Sequence, residues 1–386
     1  MITNFKSPST LSLAMVPYSF NYKLKIAFIT IFIFTLLFSS GIIHAADGVK
    51  WHPGHYYQLL GGAKNNPKYM MDAVYKDLAN TPALQGIQVR YMWGDIETAK
   101  GQYNFASIDK HLAELQKLNK HKRLVIMIQT KSFSANSATY VPTYLRSVEY
   151  DGGVFPFSGS GPRKPKGENL KLWNPLVRDR LSELFRALGK RYNSHPYFEG
   201  IGMSETALGA PLNPVTSTQT NDFYKNLYIV LQEARKAFPN TMVMQSVNYP
   251  RPIIAPLVET LKKMGGGLSH PDTYLQERGL LMEGTKYTPP GVYTYYPKLS
   301  GIVPLAPTVM HHNYQNTKSD SSGYEPTVVE LLDYLRDDLK ANYVFWTRDP
   351  QYYQKVLEML NWSAQKDKPA GGLSTTCPST YASCVQ

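Results

Sequence analysis

The segment FEGIGMSET, residues 198–206, reads as a short apolar strand that ends on a carboxylate. An apolar run with small residues is typical of a strand buried inside a sheet. Its last glutamate, Glu205, would lie where the strand leaves the core. In a barrel of parallel strands, the loops at that rim converge on one cleft. Glu205 is therefore the first candidate functional residue of this chain.

Short apolar runs alternate with amphipathic stretches along the rest of the chain, a pattern typical of βα units. This alternation predicts an α/β fold, a (β/α)8 TIM barrel in one domain spanning residues 46–365. Two loops rich in glycine, proline or tyrosine, 146–174 and 276–303, interrupt the pattern, and long rim loops often shape a binding site. The predicted strands are 55–60, 86–92, 123–129, 200–204, 241–247, 267–270, 307–311 and 342–346, and the predicted helices are 107–118, 175–192, 221–237, 327–339 and 350–361.

The N-terminus has the organisation of a secretory signal peptide. Lys23 and Lys25 precede an apolar run over 26–38, and small residues follow up to Ala45 and Ala46. The apolar run is shorter than the roughly 20 residues of a membrane span. We therefore expect a signal peptide over 1–45, cleavage near Ala45 or Ala46, and a secreted or periplasmic protein with no stable membrane span afterwards. An uncleaved anchor is the alternative, and Met15 is a second candidate start.

The cysteine and histidine content argues against a metal site. Cys377 and Cys384 are the chain's two cysteines, and an exported chain meets an oxidising compartment. A Cys377–Cys384 disulfide is therefore expected in a C-terminal tail over 366–386. Two thiolates without a nearby histidine are too few for zinc, and neighbouring strand residues such as His311 and His312 face opposite sides of a sheet. With no phosphate-binding or dinucleotide motif either, we expect neither a metal nor a cofactor.

The balance of charge narrows the class of partner. The formal net charge of the 386 residues is +12, which favours an acidic partner such as an anionic polymer, although solubility alone is the competing explanation. The basic residues are scattered, and 163–166 is the one dense cluster. Nucleic acid is therefore not the expected partner. We expect a monomer that acts on a polysaccharide or oligosaccharide.

Residues 91–109 carry a resemblance to a known family. They read YMWGDIE, KGQYNF and ID in one register. This text resembles the W-x-x-I-E-x-x-x-G-x-Y-[DN]-F-x-x-I-D passage of (β/α)8 glycoside hydrolases, in the large clan that includes families 5, 39 and 42. The resemblance includes matching motifs over 86–130 and 198–206, and it covers about 51–360 in the general order of elements.

The resemblance implies roles for particular carboxylates. It implies that the acid/base glutamate ends the fourth strand, which matches Ser204-Glu205, although the asparagine that usually precedes it is absent. Retaining members have a second glutamate, the nucleophile, at the end of the seventh strand. Here residues 308–313 contain no carboxylate. Asp272, after the sixth strand, is the nearest substitute, with a turn residue as the alternative interpretation.

Residues predicted at strand ends supply the candidate sugar contacts. Aromatic rings stack on sugar faces while polar groups bind hydroxyls, although any single tyrosine also fits a role in packing. The candidate substrate-binding residues are Trp93, Asp95, Gln129, Lys131, Asn248, Tyr249, Tyr274, His311 and Trp346.

Together these features predict an exported glycoside hydrolase that cleaves a polysaccharide, with Glu205 as general acid/base and Asp272 as second carboxylate. An anionic envelope or matrix polymer is one candidate substrate. A catalytically inactive barrel that binds glycan or a protein partner is the alternative, supported by the missing seventh-strand glutamate. A lyase of uronic acids, using Tyr or His with Lys131, is the third hypothesis. The sequence leaves retention or inversion open, because these depend on the separation of the two carboxylates.

Overall fold

The computed structural model describes residues 48–61, 66–134, 140–158 and 166–386. The predicted signal peptide lies outside these ranges. Eight parallel strands close into a barrel, because the last of them pairs with the first. The predicted fold class, a (β/α)8 TIM barrel, is therefore confirmed. The strands are β1 Gly54–Leu59, β2 Leu84–Met92, β3 Arg123–Gln129, β4 Phe198–Met203, β5 Met242–Ser246, β6 Gly267–His270, β7 Leu305–Val309 and β8 Tyr343–Thr347.

A helix follows each strand and packs outside the barrel. These helices are α1 Lys68–Asn80, α2 Ala106–Lys117, α3 Pro175–Tyr192, α4 Ser217–Ala237, α5 Ile254–Met264, α6 Tyr296–Leu299, α7 Val328–Asp333 and α8 Tyr353–Leu360. A π-helical turn, Tyr334–Asp338, continues α7. Helices α1 and α5 were not predicted, although Met71, Val74 and Leu78 have helical spacing in α1 and are buried.

Shorter strands, helices and turns lie in the segments that connect the barrel strands and helices. The segment 146–174, predicted as a loop, contains two strands, Val154–Ser158 and Gly167–Leu170, which form a three-stranded sheet with Ala210–Pro211. One-turn helices lie at Trp93–Ile96, Arg278–Leu281, His311–Gln315 and Ser363–Lys366, and a hairpin joins Glu97–Ala99 to Gln102–Tyr103. The 3-10 turns are Thr143–Arg146, Val148–Tyr150, Arg251–Ile253, Val292–Tyr295 and Pro369–Gly372.

Side chains alternate between the barrel interior and the helix layer with the strand period of two. In β3, Val125 and Met127 belong to the interior cluster, whereas Leu124, Ile126 and Ile128 pack against the helices. The interior is thus a packed core, as expected for this fold.

Glycines in β4 make room for the large side chains of this core. A Cβ atom added to Gly200 would lie 2.8 Å from the terminal methyl of Met242, and one added to Gly202 would lie 3.0 Å from Met244 Cγ. The small residues of the FEGIGMSET segment therefore allow neighbouring strands to send methionines into the barrel.

The C-terminal tail closes the N-terminal end of the barrel. Val49–Lys50 pairs in parallel with Cys384–Val385, and the predicted disulfide between Cys377 and Cys384 is confirmed. The rings of Trp51 and Tyr381 meet edge to face. We call residues 48–51 and 377–385 the terminal clasp. Within the described ranges, no helix has the length and apolar character needed to cross a membrane.

Candidate active site

A cavity of about 550 Å³ opens at the carboxyl ends of the barrel strands. Its floor consists of polar or flexible side chains at inward strand positions, above the apolar interior layers. Both predicted carboxylates, Glu205 and Asp272, line it. The other lining residues are Gln58, Arg90, Met127, Gln129, Phe133, Lys166, Ser204, Ser246, Pro271, Tyr274, Thr308, Met310, His311, His312 and Ser319.

Glu205 lies two residues beyond the end of β4 and is held by two donors. Lys131 Nζ donates to Glu205 Oε1 at 2.6 Å, and Asn248 Nδ2 donates to Oε2 at 2.9 Å. The Lys131 side chain is only 2% exposed, whereas that of Glu205 is 17% exposed. The aromatic rings of Phe133 and Phe157 pack beside the ammonium. Glu205 is thus both ion-paired and accessible from the cavity.

Asp272 follows β6 and forms a pair with a histidine from the segment after β7. Its Oδ1 is hydrogen-bonded to His312 Nε2. The His312 ring also stacks on Tyr274, with 5.4 Å between ring centroids. The Asp272 backbone is fixed as well, because Tyr293 donates to its carbonyl at 2.9 Å and His270 Nδ1 accepts from its N–H at 3.0 Å. The carboxylate is therefore positioned by two neighbouring strand ends.

Arg90, an inward residue of β2, is a functional candidate that the sequence analysis missed. Burial lowers the pKa of Arg90, and the nearby charges of Glu205 and Asp272 act in the opposite direction. The guanidinium thus interacts electrostatically with both carboxylates. A signal existed in the sequence, because Gln88 and Arg90 alternate with the apolar outward residues of β2.

The prediction that only one of His311 and His312 enters the cleft is wrong. Both line the cavity. The prediction assumed strand alternation over 307–311, but β7 ends at Val309 and His311–Gln315 is helical. The two rings meet edge to face, with centroids 4.8 Å apart. Burial is the main reason why the pKa of His311 lies below its ordinary value.

Trp93 and Trp346, predicted to stack on sugar, do not reach the cavity and have no exposed surface. Trp93 donates to Glu97 Oε2 at 2.7 Å, and Trp346 donates to His55 Nδ1 at 3.0 Å. Strand alternation explains why the Trp346 ring does not reach the cavity: Trp346 lies on the same outward face of β8 as Val344. Both rings belong to the layer between barrel and helices.

The remaining predicted residues separate into three groups. Gln129 and Tyr274 line the cavity, and Lys131 and Asn248 support Glu205 from behind it. Tyr249 and Asp95 are not among the lining residues; Tyr249 is 38% exposed, and Asp95 lies in the short helix Trp93–Ile96.

Glu97, from the family-like motif, has a structural role. Its carboxylate is fully buried and accepts hydrogen bonds from the Trp93 indole, Gly101 N–H, Tyr144 hydroxyl and Arg180 guanidinium. The motif that carries the resemblance thus fixes the β2 loop. Across the described ranges, no group of three or more His, Cys, Asp or Glu side chains is arranged to hold a metal ion.

No protein-family model matches this chain, and no curated protein matches it in sequence. Among solved structures, it is similar to the catalytic domain of β-amylase from Paenibacillus polymyxa, with a TM-score of 0.52 and 12% identity, covering 81% of this chain and 100% of that chain. It is similar to β-galactosidase from Marinomonas ef1, with a TM-score of 0.53 and 10% identity, covering 83% of this chain and 61% of the other. For β-galactosidase from Bacillus circulans sp. alkalophilus, the TM-score is 0.51 and the identity 14%, over 77% of this chain and 50% of that enzyme. The chain therefore has the (β/α)8 barrel fold of these glycosidases.

Proposed function

We propose that this protein is an exported glycoside hydrolase that cleaves a polysaccharide, with Glu205 as general acid/base and Asp272 as the second carboxylate. One observation carries the proposal: two carboxylates from different strand ends line one cavity at the carboxyl end of the barrel. Glycoside hydrolysis needs two such groups, one to protonate the leaving oxygen and one to attack or to activate water.

The contacts of Glu205 define what proton transfer requires. Both carboxylate oxygens accept hydrogen bonds, from Lys131 and from Asn248. Each of these oxygens has a further lone pair, so Glu205 can carry the transferable proton on either one, and protonation weakens its ion pair with Lys131. The Lys131 ammonium keeps a second acceptor when this happens, because it also donates to the Ala207 carbonyl at 2.8 Å.

Asp272 is the group that serves as base or nucleophile in this proposal. Its pairing with His312 orients the carboxylate and leaves Oδ2 for water or sugar. The cavity also contains the amides of Gln58 and Gln129 and the hydroxyls of Ser246 and Thr308, which suit sugar hydroxyls.

Turnover of a glycan panel tests the proposal. The wild type is compared with Glu205→Gln and Asp272→Asn, and with Glu168→Gln as a matched control, since Glu168 is a partly buried glutamate paired with Arg146 outside the cavity. We expect reducing ends to appear with the wild type and the control and to be lost in both cavity variants. Binding of a glycan without cleavage by any of the four proteins would instead favour the non-catalytic glycan-binding barrel.

A further inference from the structure

We infer that Arg90 is the receptor for a negatively charged group on the substrate, so that the cavity selects an anionic sugar unit. This inference rests on the proposed function and specifies its substrate class. It depends on how the charges in the cavity are distributed.

The Arg90 guanidinium lacks a carboxylate bonded directly to it within the described ranges. Its Nε is buried without a hydrogen-bond partner. Its one side-chain hydrogen bond in these ranges runs from the guanidinium to the Met310 sulfur at 3.7 Å. A thioether is a weak acceptor, so this contact does not replace the hydration that Arg90 loses.

The two carboxylates of the cavity are engaged elsewhere. Glu205 uses its oxygens for Lys131 and Asn248, and Asp272 uses Oδ1 for His312. These carboxylates influence Arg90 through space but do not form the planar, two-bond pair that a guanidinium favours. At the end of β7, where the resemblance implies a glutamate, the side chain that faces Arg90 is Met310.

Lys166, which also lines the cavity, is a further cation that favours an anion. A substrate carboxylate or sulfate next to Arg90 would provide the counter-charge that the protein does not provide. Arg90 is half-buried, and removing a charge from water without a directly bonded partner is unfavourable, so a bound anion would offset part of that cost.

Equilibrium binding of matched ligand pairs tests the inference. The pairs are an oligouronate with its carboxyl-reduced form, and a sulfated oligosaccharide with its desulfated form. Hydrogen bonds to charged groups contribute enough for a preference of about tenfold or more for the charged member of a pair. A preference in the first pair identifies a carboxylate, and one in the second pair identifies a sulfate.

Four variants locate the preference at Arg90. Arg90→Gln should bring the ratio of the two affinities close to one. Met310→Glu should do the same with the arginine intact, because it supplies an internal carboxylate, whereas the uncharged control Met310→Gln should keep the preference. Arg186→Gln removes an equal charge from an exposed helix position and should also keep it. Thermal unfolding identifies any variant that fails to fold. If Arg90→Gln fails to fold, Met310→Glu still tests the inference.

Two results would overturn the inference: equal binding of both members of each pair by the wild type, or a preference that survives in Arg90→Gln and Met310→Glu. Bond cleavage is measured separately. Cleavage of neutral glycans without a charge preference leaves the proposed function standing and removes the inference. A charge preference that depends on Arg90, in a protein that cleaves no glycan, would instead support the anion site and contradict the proposed hydrolase activity.

Discussion

A glutamate lies near each end of strand β4, Glu199 inside the strand and Glu205 two residues beyond it, and the two differ completely in their surroundings. Glu199, at the N-terminal end, has no exposed surface and accepts hydrogen bonds from His52 N–H and the Tyr343 hydroxyl, both at 2.7 Å. His52 Nδ1 lies 2.8 Å from its other oxygen. Glu205, at the carboxyl end, lines an open cavity. Glu199 is thus buried at the closed end of the barrel, whereas Glu205 faces the candidate substrate site at the other end.

This contrast follows from the architecture of the barrel. The N-terminal end is closed by the terminal clasp, where Trp51 packs edge to face on Tyr343, with ring centroids 5.3 Å apart. The carboxyl end is built from βα loops, which vary without disturbing the core. We therefore expect substitutions at the N-terminal end to reduce stability and substitutions at the carboxyl end to reduce activity.

The largest expected effect is the loss of activity in Glu205→Gln. General acid/base catalysis contributes roughly 10²–10⁴ in rate, so kcat/KM on a cleaved glycan should fall by about three orders of magnitude. Because the substitution also removes the counter-charge of the buried Lys131, the free energy of unfolding, measured by denaturant titration, should fall as well, so kcat/KM is compared for the folded fraction. Full activity in Glu205→Gln would remove the distinction between the two ends.

The next effect is the loss of stability in Glu199→Gln. Removing the charge from a buried, hydrogen-bonded network costs about 3 kcal/mol. Denaturant unfolding should show this decrease, while kcat/KM of the folded fraction should stay within a few-fold of the wild type. A folded Glu199→Gln protein as inactive as Glu205→Gln would show that the two ends are coupled.

Removing the disulfide should have a smaller effect at the same end. The loop between Cys377 and Cys384 is short, with a sequence separation of 7, and loop-closure entropy for such a loop amounts to about 2 kcal/mol. The double variant Cys377→Ser/Cys384→Ser should therefore unfold at lower denaturant concentration. Its kcat/KM should match the wild type, because the clasp lies at the opposite end from the cavity; a large loss of activity would contradict this.

The smallest expected effect is a pH dependence of stability that originates from Glu199. Burial alone would raise its pKa, but the hydrogen bonds from His52 and Tyr343 outweigh burial and hold the pKa below the ordinary value of 4.5. A carboxyl whose folded pKa is depressed contributes stability above the unfolded pKa and loses it as pH falls through the folded pKa. The wild type should thus lose stability below about pH 4.5, with a steeper slope than Glu199→Gln in unfolding titrations. Identical slopes would show that Glu199 is not the source.

Much of the fold could be predicted from the sequence because strands and helices have different apolar periods. The bounds of β3, β6 and α3 agree with the prediction. The ends of strands were less predictable: β7 stops two residues early, and this changed where His311 and His312 point. Trp346 points outward together with Val344, but alternation in a strand that is apolar on both faces does not show which of its two faces is the inner one.

The candidate site could be predicted only in part. Strand-end position identified Glu205 and Asp272 as candidates for the same cleft. Their partners could not be predicted, because Lys131 is 74 residues from Glu205 and His312 is 40 residues from Asp272 in the chain. Such contacts depend on the register of neighbouring strands and on rim loops, which local sequence patterns do not specify.

If Glu205 protonates the leaving group, the effect of removing its carboxyl should depend on how much protonation that leaving group needs. Wild type and Glu205→Gln are compared on aryl glycosides of a sugar that the wild type cleaves, from acidic phenols that leave without protonation to weakly acidic ones that need it. The variant should lose little activity on the former and roughly 10²–10⁴-fold on the latter. An equal loss across the series would contradict this role, because Glu205 would then act without donating a proton to the leaving oxygen.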